Sequence, residues 1–339
     1  MNKVAFKWLI VAYVVAIAVI GLLLVQYLLP KDKKQAKTLD FMPAYDFALK
    51  PTPQNCNNVE GDVNMVLITD TNYVDFTRVA MQSAINTKCP NSKYNFYVMT
   101  LDVSDKDISA LKSFATKDVT VEVLPQGEVD LFYIRDTHVS KTSLLKYYIA
   151  KVLPDLDKVL YFDSDVLVLH DLNSIYKTDI TGKYLAAVKD PSWFFENMHV
   201  VELNLEYRGF YFNSGVMLMN LKKIRDDNLL AKLEDYTNNN FRTYMDQDAL
   251  NVVVENDVLL LPVEANTMNF FFEHNDMKTL GDFYGRNWKS YEDVFANAVI
   301  LHFASSKKPL GSKVDKFHFF RMLQEAWYGV YNTLPPLNG

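Results

Sequence analysis

The chain has 339 residues, 49% hydrophobic and 22% charged, enough apolar material for a substantial core and too much for a disordered polymer. Its formal net charge of −6 comes without a long Lys/Arg run, so no nucleic-acid partner is expected. Cys56 and Cys89 are too few for a disulfide framework and lack zinc-site spacing; the sequence leaves open whether they pair, and with that the redox compartment.

A short tail, residues 1–7, precedes an uncharged, mostly apolar run from Trp8 to Leu29 that is long enough to cross a bilayer as a helix. It runs through Gln26, Tyr27 and Leu28 into Pro30 instead of ending on small residues, so residues 8–29 read as an uncleaved anchor and not as a cleaved signal peptide. Residues 30–62 are polar, carry Pro43, Pro51 and Pro53, and show no sustained period; they read as a stalk.

From Val63 the texture changes. Val63 to Thr69 and Asn95 to Leu101 predict short buried strands, with a helix around Phe76 to Asn86 between them. Val119 to Leu124 gives a third strand, Leu144 to Leu153 a helix, and Lys158 to Phe162 a fourth strand that ends on acidic residues. Tyr184 to Val188 and Ala298 to Phe303 predict later strands. Alternating strands and helices predict a mainly parallel sheet covered on both faces, within one domain spanning residues 63–339. Phe317, His318, Phe319, Phe320, Trp327 and Tyr328 read as a core-facing amphipathic helix. Ligands of such sheets bind beyond the carboxyl ends of the strands, which directs attention to the residues that follow each apolar run.

After the fourth strand, Asp163 and Asp165 stand one residue apart at the edge of a core. Two such carboxylates repel each other and resist desolvation, a cost that a divalent cation removes by oxygen coordination. The plain alternative is an acidic turn at a strand end. A phosphatase of the haloacid dehalogenase type also places Asp-x-Asp after a buried strand, but wants Thr two residues past the second Asp, where this chain has Leu167.

The segments Asp157 to Val166, Tyr211 to Val216, Asp246-Gln247-Asp248 with Leu250-Asn251, and His302-Phe303 with Lys308-Pro309 together resemble family 8 glycosyltransferases, from about Val63 to Leu310. That family includes bacterial lipopolysaccharide galactosyl- and glucosyltransferases and glycogenin. The resemblance implies a GT-A fold, a Rossmann-like α/β domain, that moves a hexose from a UDP-sugar, UDP-glucose or UDP-galactose, to a glycan or glycolipid acceptor with Mn2+ (or Mg2+) and with retention of configuration. Carried over by position, Asp163, Asp165 and His302 would bind the metal and Lys308 the diphosphate. Asp70, Asn72 and Tyr73 would meet the uridine. Lys146, Ser164, Asn213 and Asp190 would line the donor, Asp246 would grip sugar hydroxyls, and Gln247 would sit beneath the anomeric carbon. A carboxamide is a poor nucleophile, which favours front-face substitution, while Asp248 keeps double displacement open. Lys146 replaces the family's common arginine, Ser305 a glycine and Leu310 a tryptophan.

Several of these residues have plainer readings. His302 alone would pass for a core histidine, Asp70 to Asn72 for an ordinary turn, and Asp246 to Asp248 for the acidic start of a helix. The alternatives to an enzyme of this class are a catalytically silent sugar-nucleotide-binding scaffold and, less favoured, a metal-dependent phosphatase. Lys31, Lys33, Lys34 and Lys37 follow the apolar run against Lys3 and Lys7 before it, and no Asn-x-Ser/Thr acceptor occurs. These features favour a single-pass protein of the bacterial inner membrane with a cytoplasmic catalytic domain, and a type II Golgi protein as the alternative.

Overall fold

The first β-α-β unit forms where the apolar runs predict it. In the computed structural model, which describes residues 53–126, 141–191, 197–205, 209–240, 244–273, 277–310 and 318–337, β1 (Glu60–Asp70) leads through α1 (Val74–Thr87) into β2 (Asn91–Leu101). These two strands pair in parallel along their whole length, from Glu60 opposite Asn91 to Asp70 opposite Leu101. Both begin earlier than their apolar runs: Glu60 to Asp62 extend β1 as solvent-exposed residues, and in β2 exposed Asn91 and Lys93 alternate with buried Ser92 and Tyr94.

After α2 (Asp105–Lys112) and β3 (Val119–Pro125), three short helical turns, Lys141–Leu144, Leu145–Tyr148 and Ile149–Val152, precede β4 (Lys158–Phe162) and β5 (Val166–Val168). Then come β6 (Leu185–Lys189), α3 (Asn197–Glu202), β7 (Phe212–Asn220), α4 (Leu229–Asn239) and α5 (Met245–Val253). The remaining elements used below are β8 (Val258–Leu260), β9 (Thr267–Met268), β10 (Ile300–His302) and α6 (His318–Tyr331).

Seven strands form one sheet in the order β3-β2-β1-β4-β7-β6-β8. All neighbours are parallel except β7, which runs antiparallel to both β4 and β6. From β1 the chain winds outward to β2 and β3, and then returns to place β4 on the other side of β1. The carboxyl ends of β1 and β4 therefore flank the point where the strand order reverses, the place where open α/β sheets bind ligands.

Along β1 the side chains alternate between two cores, as the two-residue period of a strand requires. Met65 and Leu67 pack with Phe76, Val79 and Trp327, while Val66 and Ile68 pack with Leu145, Tyr161 and Met217. Helix α6 closes the first core with Phe320, Leu323 and Trp327, all buried, and the Trp327 ring stacks on Tyr331 and leans on Phe76.

A second sheet of three strands, β5-β10-β9, sits beyond the acidic turn. Its register sets His302 opposite Val166 in β5 and opposite Met268 in β9. The ladder continues when Phe303 N donates to the Asp165 carbonyl at 2.9 Å. A residue far along the chain is thereby fixed beside the acidic pair.

The end of the proline-bearing segment is part of the fold. Cys56 and Cys89 form a disulfide, Gln54 donates to the Thr87 carbonyl at 2.5 Å, and Gln54 Oε1 accepts from Asp171 N at 2.7 Å. Asp171, itself buried, accepts from Cys89 N, Ser92 Oγ, Tyr94 OH and Asn173 N at 2.8 to 3.1 Å.

The expected membrane placement requires correction. No helix among the described residues is long and apolar enough to cross a membrane, and the run at 8–29 on which the assignment rested lies outside the described residues. The Cys56–Cys89 bond also runs against a cytoplasmic catalytic domain, because structural disulfides persist chiefly in oxidising compartments.

Candidate active site

The acidic turn begins where β4 stops. Asp163 N donates to the Gly215 carbonyl of β7 at 2.7 Å, and Tyr161 OH donates to Asp163 Oδ1. Asp163, Asp165 and His302 each offer one ligand atom, and these atoms lie within 4.8 Å of one another. His302 Nε2 stands 3.7 Å from Asp163 Oδ2 and 3.3 Å from Asp165 Oδ1. Asp165 Oδ1 is buried and accepts no hydrogen bond, which in a native protein calls for an explanation. Two carboxylates and an imidazole whose ligand atoms lie this close together fit a divalent cation.

Two lysines flank the cluster. Lys308 Nζ lies 2.5 Å from Asp165 Oδ2 and donates to the Phe303 carbonyl. Lys146 Nζ lies 2.6 Å from Asp246 Oδ2 and 3.6 Å from Asp163 Oδ1, over the face of Tyr161. Burial alone would raise the Asp165 pKa, but the Lys308 ammonium beside it outweighs this and holds the carboxyl well below the usual range. At Asp163 burial wins over the pull of Lys146, aided by repulsion from Asp165, and its pKa is raised. For Lys146 the order reverses: burial disfavours its charge, yet Asp163 and Asp246 together raise its pKa. Lys308 likewise is raised, burial being outweighed by Asp165.

Side chains of α5 fasten it to β7. Asn251 accepts from Phe212 N at 2.9 Å and donates to the Phe212 carbonyl at 2.8 Å, so the start of the helix faces Ser214. There Gln247 Oε1 accepts from Ser214 N at 2.9 Å while its Nε2 donates to Asp190 Oδ2 at 3.2 Å. Asn213 Nδ2 donates to the same Asp190 oxygen at 3.0 Å. Asp246 Oδ2 accepts from Ser214 Oγ at 3.2 Å. Asp163, Asp165, His302, Lys308, Lys146, Asp246, Gln247, Asn213 and Asp190 thus belong to one connected polar network.

The remaining expected site residues occupy other surroundings. Asp70 Oδ1 accepts from Asn72 N at 2.9 Å and Asp70 Oδ2 from Thr142 Oγ1 at 3.1 Å, which shapes the turn after β1. Tyr73 follows it; burial raises its pKa while Lys308 lowers it, so this ring feels the cluster's charges. Ser164 is buried with its hydroxyl bonded to Thr77 Oγ1 and the Ile68 carbonyl, both at 2.8 Å. Asp248 has no exposed surface: Tyr211 OH and His199 Nε2 donate to Oδ1 at 2.6 and 2.8 Å, and Tyr244 N to Oδ2 at 3.0 Å.

Sequence reading did not single out Tyr161, His199 or Asn266. Tyr161 stands two residues before Asp163 and read as part of an apolar strand. His199 and Asn266 lie in segments without a motif, and only tertiary packing carries them to Asp248 and His302. Leu167, at the position where the phosphatase pattern wants a hydroxyl, is a buried core residue of β5.

Fold and site together define a GT-A-like glycosyltransferase: a mostly parallel α/β sheet with an Asp-x-Asp turn at its switch point and a histidine and lysine returning to it. Residues 64–312 match glycosyl transferase family 8, and the chain belongs to that family. It is 25% identical over 289 residues to general stress protein A of Bacillus subtilis (strain 168), covering 81% of this chain and 98% of the relative. Against a lipopolysaccharide 1,2-glucosyltransferase of Escherichia coli (strain K12), identity is 28% over 284 residues, 82% of this chain and 80% of that enzyme. The solved structure of galactosyltransferase LgtC in complex with donor and acceptor sugar analogs aligns with a TM-score of 0.66 at 22% identity, covering 81% of this chain and 97% of LgtC. That last likeness is one of fold.

Proposed function

We propose that the chain is a retaining, Mn2+-dependent hexosyltransferase that takes glucose or galactose from its UDP-sugar and passes it to a glycan or glycolipid acceptor. The observation that carries this reading is the cluster of Asp163, Asp165 and His302 around the unpartnered Asp165 Oδ1, with Lys308 beside it. A cation held there supplies charge neutralisation to a diphosphate leaving group. Lys308 binds that diphosphate as a point charge, and the turn from Asp70 to Tyr73 receives the uridine. Lys146, fully buried between two carboxylates, holds Asp246 in place to accept sugar hydroxyls.

Gln247 is fixed at both ends of its amide, by Ser214 N and by Asp190, so it presents a rigid dipole and no carboxylate. Such a group orients and stabilises positive charge developing at the anomeric carbon but does not form an ester readily. Asp248, sealed from solvent and bonded on both oxygens, suits a structural anchor for α5 better than a nucleophile. These two placements support front-face substitution over double displacement through Asp248.

A donor panel of UDP-glucose, UDP-galactose and UDP-N-acetylglucosamine with Mn2+, read by slow UDP release without acceptor, tests the proposal. Release from one of the two hexose donors is expected. Orthophosphate from a generic phosphoester, with no UDP release from any donor, would contradict it.

A further inference from the structure

Asn266 belongs to no motif, yet it is wholly buried and joins the two halves of the site. Its Nδ2 donates to Asn213 Oδ1 at 2.9 Å, and its Oδ1 lies 3.0 Å from His302 Nδ1. The direction of these bonds can be settled from a backbone group whose role is not in question. Gly215 N can only donate, and it donates to the same Asn213 Oδ1 at 2.9 Å. That atom is therefore the carbonyl oxygen, as the opposite end of the Asn213 amide, donating to Asp190, also requires. Asn266 must then turn its NH2 toward Asn213 and its oxygen toward His302. An oxygen facing Nδ1 requires a proton on Nδ1.

We infer that Asn266 is a positioning residue that fixes the neutral His302 imidazole as its Nδ1–H tautomer and so leaves the Nε2 lone pair facing Asp163 and Asp165. In the other tautomer Nδ1 and Asn266 Oδ1 would oppose each other as two acceptors, and reversing Asn266 would set its oxygen against Asn213 Oδ1. Every alternative breaks a buried hydrogen bond and leaves a buried polar atom unsatisfied. His302 Nε2 stands 3.3 Å from Asp165 Oδ1 and 3.7 Å from Asp163 Oδ2. Three electron-pair donors face one gap, the arrangement a cation needs. A metal-binding histidine is commonly oriented through its second nitrogen in this way. The proton assignment stands on the hydrogen-bond directions alone, whereas its service to a cation rests on the function proposed above.

The test uses the full-length chain labelled with 15N-histidine, without added metal and at mildly alkaline pH, with His302 assigned among the six histidines by comparison with His302→Ala. The nitrogen shifts of His302 should show the proton on Nδ1. In Asn266→Leu they should move toward a mixture of tautomers, and Mn2+ affinity by calorimetry should fall about 10–100-fold. Asn266→Asp restores an acceptor for Nδ1–H and should restore the shifts. A proton on Nε2 in the unsubstituted protein, or unchanged shifts in a folded Asn266→Leu, would overturn the inference. An Nδ1–H signature lost in Asn266→Leu, together with no Mn2+ binding by the unsubstituted protein, would uphold the proton assignment and overturn the metal reading.

Discussion

Gly215 lies so close to His302 that a Cβ built on it would stand 2.2 Å from His302 Cε1 and 2.8 Å from Asp163 Oδ2. The glycine is required by proximity: its carbonyl holds Asp163 N, and its empty side admits the imidazole. Gly215→Ala should displace His302 or Asp163 from the cluster and reduce turnover by about 100-fold, as misplacements near 1 Å do. Circular dichroism should report an intact fold. Full Mn2+-dependent activity in the variant would show that the cluster does not act as a unit.

Lys146 neutralises two carboxylates from a position with 3% side-chain exposure. Removing one partner of a buried ion pair costs about 3–5 kcal/mol, because the other charge remains. Lys146→Met should therefore lower stability in urea unfolding and raise the donor KM. Lys146→Arg should recover the charge and much of the activity. A Lys146→Met protein as stable as the parent would mean that Asp163 and Asp246 are neutralised by other groups.

Much of the scaffold was legible because central parallel strands bury both faces and print uninterrupted apolar runs. The polar start of β1 and of β2 prints nothing of the kind, and the apolar run of β5 is too short to read as a strand. The acidic turn could be read locally, whereas the placement of His302 depends on the pairing of β10 with β5, which no local pattern encodes. Lys308 was recognisable only as a member of a set of motifs. Asn266 and His199 were invisible for the same physical reason: each is a single polar side chain whose partners lie on other elements.

Gln247 and Asp248 are adjacent but should fail differently. In the proposed scheme Gln247 lies beside the anomeric carbon, so Gln247→Ala should slow transfer about 10–100-fold, as loss of an electrostatic stabiliser does, with little change in melting temperature. Asp248→Asn leaves Tyr211, His199 and Tyr244 N short of one acceptor and should cost about 1–3 kcal/mol of stability. A glycosyl adduct trapped on Asp248, or an inverted β-linked product by NMR, would reject the front-face scheme.

Gln54 and the Cys56–Cys89 bond tie residues ahead of the first apolar strand to the sheet domain. Closing a loop across a separation of 33 residues is worth about 3–4 kcal/mol, so Cys56→Ser should lower stability by about that amount. A chain starting before Pro53 should fold better than one starting at residue 61. Equal stability of the two would return residues 53–60 to the stalk.

Asp171 gives that junction a pH dependence whose sign can be worked out. Burial raises its pKa, but the bonds it accepts from Cys89, Asn173 and Tyr94 outweigh this, and the carboxyl lies below the usual range. A depressed folded pKa contributes stability that is present above the unfolded value, near 3.9, and lost as pH falls through the folded value. Asp171→Asn should therefore be less stable at neutral pH and lose less on acidification below about pH 4. An unchanged acid limb in urea titrations would remove Asp171 from the account.

The central claim is that Asp163, Asp165 and His302 form a cation site serving a UDP-hexose. It is tested most directly by UDP release from UDP-glucose and UDP-galactose, measured with Mn2+ and with chelator, in the unsubstituted chain and in Asp165→Asn and His302→Ala. Release should require Mn2+ and fall about 100-fold or more in both folded variants, in proportion to the charge stabilisation withdrawn. Release that persists in chelator, or that His302→Ala leaves unchanged in its Mn2+ dependence, would contradict it.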